Sequence, residues 1–402
     1  MQNQTPIHTP IHSPIQAFFN QANGTVTSWW SWLAVFWFAV MLWFYGQLIF
    51  GIPMMIVGMV VDPSSLEAMM ETQASGEATQ GVGYLLGLGT VIAGSLAAFL
   101  VYVLRNKPSD AASKRNIQIA SAFGVLSFAA LVYFIMTGSG SEDAALLNGW
   151  IAKSALVYMF MLMMFPPMAL GLWLGVKHLQ KRTILSLHTA HFKFRWGRMV
   201  FAMLVVWAIA AISSYGAHVS GLSEATLVFD PSRFWKYLPI TLLFIPLQSA
   251  TEEIALRGYL NQGLGKYIKN PWIVFVITSA AFASLHLSNP EVAETVKEHS
   301  IWVAMSGYFF FGLFACVLTY IDGGLEAAIG MHAANNMFAA AIVGYDNSAL
   351  PVPTIFKVGL NTQLDSIMVI VSLALVCVIM YVTRKPLIRP EPIESAESSV
   401  FS

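Results

Sequence analysis

Two adjacent carboxylates and an arginine follow a strongly apolar run of the chain. The run spans 238–247, and the ionisable residues after it are Glu252, Glu253 and Arg257. An ionisable side chain in or beside a membrane span costs about 2.5–3.5 kcal/mol on insertion scales, so it is a functional candidate. Glu253 and Arg257 are four residues apart with the acid first, which favours a supporting ion pair on a helix. Glu252 is turned by about 100° from Glu253 and can face elsewhere.

Two further polar pairs with helical spacing occur in apolar segments, namely Phe282 with His286 and His332 with Asn336. A carboxylate such as Glu252 in a low-dielectric site is a usable general base near neutral pH. His286 can orient the water or return a proton to a leaving amine, while Phe282 packs. His332 and Asn336 can donate hydrogen bonds to an oxyanion. These residue types together predict water attack on an amide carbonyl, the reaction of a peptidase.

The composition indicates that these residues are positioned by membrane-spanning helices. Of 402 residues, 56% are hydrophobic and 10% are charged, whereas soluble domains have roughly 25% charged residues. Pro166 and Pro167 predict a kink or break inside the fourth apolar segment. With about 20 apolar residues per span, the sequence predicts an all-α polytopic integral membrane bundle of about ten transmembrane helices, at 32–60, 81–104, 117–137, 150–176, 199–219, 236–256, 272–287, 301–320, 324–344 and 365–383.

Changes in composition divide the chain into regions. Both ends of the chain are polar. The N-terminal end contains the near-repeat Thr5-Pro-Ile-His-Thr-Pro-Ile-His, whose composition is typical of a disordered segment. The sequence predicts five regions: a disordered N-terminal tail at 1–28, an N-terminal transmembrane region of about five helices at 29–230, a catalytic transmembrane core at 231–345, a final transmembrane helix at 346–385 and a disordered C-terminal tail at 386–402.

The distribution of positive charge predicts the orientation in the membrane. Of the 21 lysines and arginines, 16 fall in one set of alternate loops, which the positive-inside rule assigns to the cytoplasm. Both termini and the opening of the site then face the cytoplasm, and we expect a bacterial inner (plasma) membrane. Acidic and basic residues are equal in number, 21 each, so the basic surplus typical of nucleic-acid binding is absent.

The ordered set Glu252-Glu253-x-x-x-Arg257, Phe282-x-x-x-His286 and His332-x-x-x-Asn336 resembles the three motifs of the CPBP intramembrane proteases. That family includes the Rce1-type CAAX prenyl endopeptidases and bacterial Abi-like members linked to bacteriocin processing and self-immunity. The resemblance covers about 240–345. It implies that Glu252 and His286 activate the hydrolytic water and that His332 and Asn336 form the oxyanion hole. Glu253 and Arg257 are then supporting residues.

Family members are often called metalloproteases, which raises the question of a metal. Zinc bound by Glu252, His286 and His332 is the alternative to a glutamate-activated water. The chain has no HExxH motif, and the amide of Asn336 is a poor zinc ligand. We therefore expect no cofactor.

The expected partners are the lipid bilayer and a peptide or protein substrate that is lipidated or membrane-embedded, with no nucleic acid. The prenylated substrates of the Rce1 type do not follow from the motifs alone. A second hypothesis is a non-catalytic membrane scaffold or bacteriocin self-immunity protein that keeps the protease fold. A scaffold tolerates Glu252→Gln, whereas a hydrolase does not.

Overall fold

The computed structural model describes residues 13–23, 28–64, 141–345 and 348–385, with isolated residues between 89 and 127. Two predicted spans, 81–104 and 117–137, fall largely outside the described residues, as do residues 1–12 and the C-terminal tail predicted at 386–402. The other eight predicted spans coincide with helices. A total of ten spans is therefore not confirmed.

The described chain is almost entirely helical. Its helices are α1 (Pro14–Asn20), α2 (Trp29–Val61), α3 (Ser141–Lys153), α4 (Ala155–Met163), α5 (Pro166–His178), α6 (Trp196–Val219), α7 (Pro231–Glu253), α8 (Asn261–Gly265), α9 (Pro271–Ser284), α10 (Pro290–Thr295), α11 (Ile301–Asp322), α12 (Glu326–Ala341) and α13 (Thr362–Val382). A 3₁₀ turn spans Ile184–Leu187, and a π-helix spans Ile254–Leu260. Three two-residue strands, β1 (Thr226–Leu227), β2 (Val343–Gly344) and β3 (Phe356–Lys357), pair in the order β1-β3-β2.

Within the described residues, five helical segments are long and apolar enough to cross a membrane. They are Trp29–Val61, Ala155–His178, Trp196–Val219, Ile301–Asp322 and Thr362–Val382. The predicted break at Pro166 is confirmed, because α4 ends at Met163 and α5 begins at Pro166. Large apolar side chains project outward from these segments, including Ile212 at 72% exposure. Such surfaces suit lipid and not water, so the chain is a helical membrane protein.

Helix α12 lies at the centre of the part that carries the predicted site. Most of its residues are buried, and it packs between α6 and α7. A Cβ at Gly330 would collide with the carbonyl oxygen of Met199 on α6, so this close approach of two helices requires glycine. The polar side chains of α12 consequently face protein and not lipid.

The disordered tail predicted for 1–28 is wrong for the residues that form α1. Ser13 Oγ accepts the amide hydrogen of Gln16 at 3.4 Å as an N-cap, and proline occupies the first turn. Ile15, Phe18 and Phe19 are buried in the core. Their spacing gives α1 one apolar face, which the polar composition of the surrounding residues concealed.

Basic residues just before α6 and in its first turn form ion pairs with acids at the end of α11 and at the start of α12. Arg195 Nη2 lies 2.9 Å from Glu326 Oε2, and Arg198 Nε lies 2.8 Å from Asp322 Oδ2. Thr189 forms an isolated bridge with Gly324. These contacts hold the N-terminal end of α12 in place, and with it the register of the site residues on that helix.

Candidate active site

The site forms where α7 changes its helical geometry. Glu252 and Glu253 are the last residues of α7, and the π-helix begins at the next residue, Ile254. Single π turns are rare and frequently lie at functional sites. This change of geometry was not predicted from the sequence, because no local residue pattern distinguishes a π turn from an α turn.

Glu253, Arg257 and His332 form a buried ion-pair cluster. Glu253 Oε1 lies 3.1 Å from Arg257 Nη1 and 2.8 Å from His332 Nδ1. The Glu253 and Arg257 side chains are both fully buried. The Arg257 guanidinium also lies 4.5 Å from the centre of the Phe282 ring. The predicted supporting pair thus makes up two of the three residues of the cluster, and the third, His332, comes from another helix.

Close packing around Arg257 depends on a glycine of α11. A Cβ at Gly312 would lie 3.0 Å from Arg257 Nη2 and 3.1 Å from the Cα of Ser279 on α9. Because both distances are shorter than ordinary contacts, Gly312 lets α9 and α11 close over the guanidinium. Helix α11 therefore packs directly against the cluster.

The ring of His332 has a fixed orientation. Phe311 and Phe282 contact it edge-on, with ring centres 5.0 and 5.8 Å away. Glu253 is charged beside Arg257, so the 2.8 Å contact requires a proton on Nδ1 of His332. The other nitrogen, Nε2, faces Glu252 at 3.8 Å from Oε2. His332 therefore connects the two neighbouring carboxylates.

Glu252 has surroundings unlike those of Glu253. Its side chain is 15% exposed, and Oε1 accepts a hydrogen bond from Nε2 of Gln248, one turn earlier on α7. Its Oε2 has no hydrogen-bond partner in the described part of the protein. The carboxylate oxygen that faces His332 is thus a buried acceptor whose hydrogen-bonding capacity is unused.

Gln248 is a site residue that the sequence analysis did not identify. Besides donating to Glu252, it accepts a long hydrogen bond of 3.5 Å from Nδ2 of Asn336. We call these three residues the Gln248–Glu252–Asn336 chain. The spacing of four between Gln248 and Glu252 inside an apolar run was the available signal. His332 and Asn336 both contact α7 in this arrangement, as their common helical face requires.

His286 lies beside the other residues and follows the end of α9. Its Nδ1–H donates to the carbonyl oxygen of Phe282 at 2.8 Å, and its ring stacks on Tyr308 with centres 4.6 Å apart. In the described part of the chain it makes no hydrogen bond to a carboxylate. Glu252 and His332 nevertheless act on it electrostatically.

Tyr308 and Glu291 are also residues that the sequence analysis missed. The Tyr308 hydroxyl donates to Glu291 Oε1 at 2.6 Å, and the amide of Ala349 donates to Glu291 Oε2 at 3.1 Å. This network joins α10, α11 and the loop before β3 beneath the ring of His286. Nothing in the local sequence links these positions, which are far apart along the chain.

The candidate zinc ligands are Glu252, His286 and His332. Among the described residues, no three His, Cys, Asp or Glu side chains are grouped so that they could hold a metal ion. Glu252, His286 and His332 therefore do not form a three-ligand group in this conformation. Nδ1 of each histidine is already bonded to a protein oxygen.

Comparison with known proteins identifies the segment that contains these residues. A curated relative, described as "Uncharacterized protein YyaK" from Bacillus subtilis (strain 168), is 29% identical over 218 residues, which cover 54% of this chain and 70% of the relative. No solved structure matches the chain. Residues 234–338 match the family model described as "Type II CAAX prenyl endopeptidase Rce1-like". Every site side chain described above falls within this segment, which is therefore an Rce1-like segment.

Proposed function

We propose that the protein is an intramembrane endopeptidase that hydrolyses a peptide bond near the terminus of a membrane-associated protein or peptide. The family match over 234–338 supports this activity. The observation that carries the proposal is the difference between two adjacent carboxylates. Glu253 is fully buried, neutralised by Arg257 and bonded to His332, whereas the Glu252 side chain is 15% exposed and has no lysine or arginine within ion-pair distance in the described part of the protein.

Glu252 acts as the general base. Its Oε2 accepts a proton from a water molecule, whose oxygen attacks the carbonyl carbon of the substrate and forms a tetrahedral intermediate. The intermediate then collapses, the C–N bond breaks, and the amine leaves with a proton. His286 passes that proton from Glu252, because its Nδ1–H is held by Phe282 and its Nε2 is left as the exchanging atom.

His332 and Asn336 stabilise the negative charge that develops on the carbonyl oxygen. With Nδ1–H bonded to Glu253, His332 must also carry a proton on Nε2 in order to donate to the oxyanion. Among the described residues, the Nδ2 group of Asn336 is held by the 3.5 Å contact with Gln248 alone, so it can turn to the oxyanion at little cost.

The proposal includes no metal, because Glu252 supplies the base and His332 and Asn336 supply the donors. It includes a site that opens to the cytoplasm of a bacterial inner membrane, on the basis of the distribution of lysine and arginine. Metal analysis of the purified protein and labelling of Lys193→Cys, at an exposed position, test these two statements. One zinc per chain, or labelling from outside intact cells, would overturn them.

The experiment that tests the activity compares protein termini in cells that carry the wild type, Glu252→Gln or Glu298→Gln. Glu298 is exposed and serves as the matched control. We expect new termini with the wild type and the control that disappear with Glu252→Gln, by the 10²–10⁴-fold that a general base contributes, roughly. Identical termini in all three strains, with Glu252→Gln folded and abundant, would contradict hydrolysis and favour the scaffold.

A further inference from the structure

A pocket of about 520 Å³ opens where the membrane-crossing segment Ala155–His178 ends. It is lined by Lys177, Lys181, Arg182, Thr183 and Ile184. It is a shallow depression that is largely open at the protein surface. Lys177 lies in the last turn of α5 and the other four residues follow that helix, so the pocket lies at the end of that segment.

The three cations of this pocket have no acidic partner. Among the described residues, no carboxylate lies within ion-pair distance of Lys177, Lys181 or Arg182. The next arginines along the chain, Arg195 and Arg198, are by contrast paired with buried acids. Cations that line one concave surface without compensation produce a positive potential there, which attracts anions.

Arg182 shows the imbalance most clearly. It is only 6% exposed, and its guanidinium donates to two neutral groups, Gln180 Oε1 at 3.1 Å and Gln262 Oε1. Its Nε has no partner in the described part of the chain. Burial lowers the pKa of Arg182 to about 10. A buried cation without an acid is costly, and an anion in the pocket would offset that cost.

The backbone at Lys181 terminates α5, since the amide of the next residue, Arg182, donates to the carbonyl oxygen of Val176. The φ of Lys181 is +56°, and it is the one described residue other than glycine with a positive φ. Left-handed backbone is unfavourable for a residue with a Cβ and tends to persist where the surrounding structure has a use for it. Here it reverses the chain after α5 so that Lys181 and Arg182 line the same pocket as Lys177.

We propose that this pocket binds the phosphate group of an anionic phospholipid at the membrane surface. The position at the end of a membrane-crossing segment favours a lipid over a soluble anion, because the phosphates of the bilayer lie at that level. The stems of the two lysines and the side chain of Ile184 offer apolar contact to the glycerol and the first methylenes. The site is separate from the Glu252 region and does not depend on the proposed hydrolysis.

The experiment measures lipid retention by the full-length protein in neutral detergent. The probes are phosphatidylglycerol, phosphatidylcholine and inorganic phosphate, detected by native mass spectrometry and by the shift in thermal unfolding. The variant Lys177→Gln/Lys181→Gln removes two exposed charges from the pocket. The control Lys193→Gln/Lys385→Gln removes two exposed lysines that do not line it.

We expect the wild type and the control to retain phosphatidylglycerol over phosphatidylcholine. We expect the pocket variant to bind phosphatidylglycerol more weakly by roughly 25-fold, since each of the two cations removed contributes roughly fivefold. Equal losses in the two variants would indicate non-specific surface charge and overturn the proposal. Equal retention of the two lipids would also overturn it. Stabilisation by inorganic phosphate alone would assign the pocket to a soluble anion and not to a lipid.

Discussion

The site has two sides, the buried ion-pair cluster and the Gln248–Glu252–Asn336 chain, which differ in charge balance and exposure. Their central residues, Glu253 and Glu252, are nevertheless neighbours in sequence. In the buried ion-pair cluster, the charge of Glu253 is matched by Arg257 and its Oε1 is bonded to two residues. In the Gln248–Glu252–Asn336 chain, the carboxylate has an amide donor on Oε1, is 15% exposed, and has no lysine or arginine within ion-pair distance among the described residues. Rotation of about 100° per residue accounts for the difference, because it directs one side chain into the core and the other to the accessible side. We infer that Glu253 and Arg257 stabilise the structure and hold His332, and that Glu252 performs chemistry.

The largest effect that can test this comparison is on stability. Arg257→Leu leaves Glu253 charged and buried beside His332 alone, and we expect the free energy of unfolding to fall by about 3–5 kcal/mol. Thermal unfolding of the detergent-solubilised protein measures this change. Glu252→Gln should leave the unfolding temperature close to that of the wild type.

The matched control is another charged pair at helical spacing. Lys297 and Glu294 are 2.7 Å apart and largely exposed, so Lys297→Met should change stability by about 0–1 kcal/mol. The double variant Glu253→Leu/Arg257→Leu should be less destabilised than Arg257→Leu, since it leaves no unpaired charge. If Arg257→Leu and Lys297→Met were equally stable, the cluster would not be the structural side of the site.

The helical spacing of the site residues, and the helices that carry them, can be predicted from the sequence. Helical periodicity predicts that Glu253 and Arg257 pair, and they do at 3.1 Å. It cannot predict that His332, 79 residues away, donates to Glu253, because that contact depends on how two helices are rotated and packed against each other. The same limit explains why Gln248 and Tyr308 were missed, since an amide or a phenol in an apolar helix has many uses.

The ends of the chain and the basic segment between α5 and α6 show a second limit. Composition averages over a window, so three apolar residues of α1 were outweighed by the polar residues around them. Counting charges likewise treats Arg195 and Lys181 alike, although Arg195 is paired with a buried acid and Lys181 lines an uncompensated pocket. The difference arises from the turn between α11 and α12, which supplies acids to one part of the segment and not to the other.

A smaller effect tests the Gln248–Glu252–Asn336 chain. Gln248→Leu removes the hydrogen bond to Glu252 and the acceptor for Asn336 without changing the side-chain volume greatly. Hydrogen bonds to charged groups contribute about 1.5–3 kcal/mol, so we expect kcat/KM on a substrate identified from the termini to fall roughly ten- to a hundredfold.

Thr251→Val is the control for Gln248→Leu. Thr251 lies in the same turn of α7, and its hydroxyl donates only to the carbonyl oxygen of Leu247 on its own helix. We expect its activity to equal that of the wild type. If both variants lost activity to the same extent, Gln248 would act through the stability of α7 and not through Glu252.

The smallest effect concerns His286, which belongs to neither side and is held by Tyr308. Tyr308→Phe keeps the ring that stacks on His286 but removes the hydroxyl that donates to Glu291. We expect a loss of about 1 kcal/mol in stability and at most about a fivefold fall in kcat/KM. Tyr308→Leu removes the ring as well and should lower kcat further with little change in KM, because His286 would lose its orientation and not its contact with substrate. Equal activity of the Phe and Leu variants would show that the Phe282 carbonyl alone orients His286.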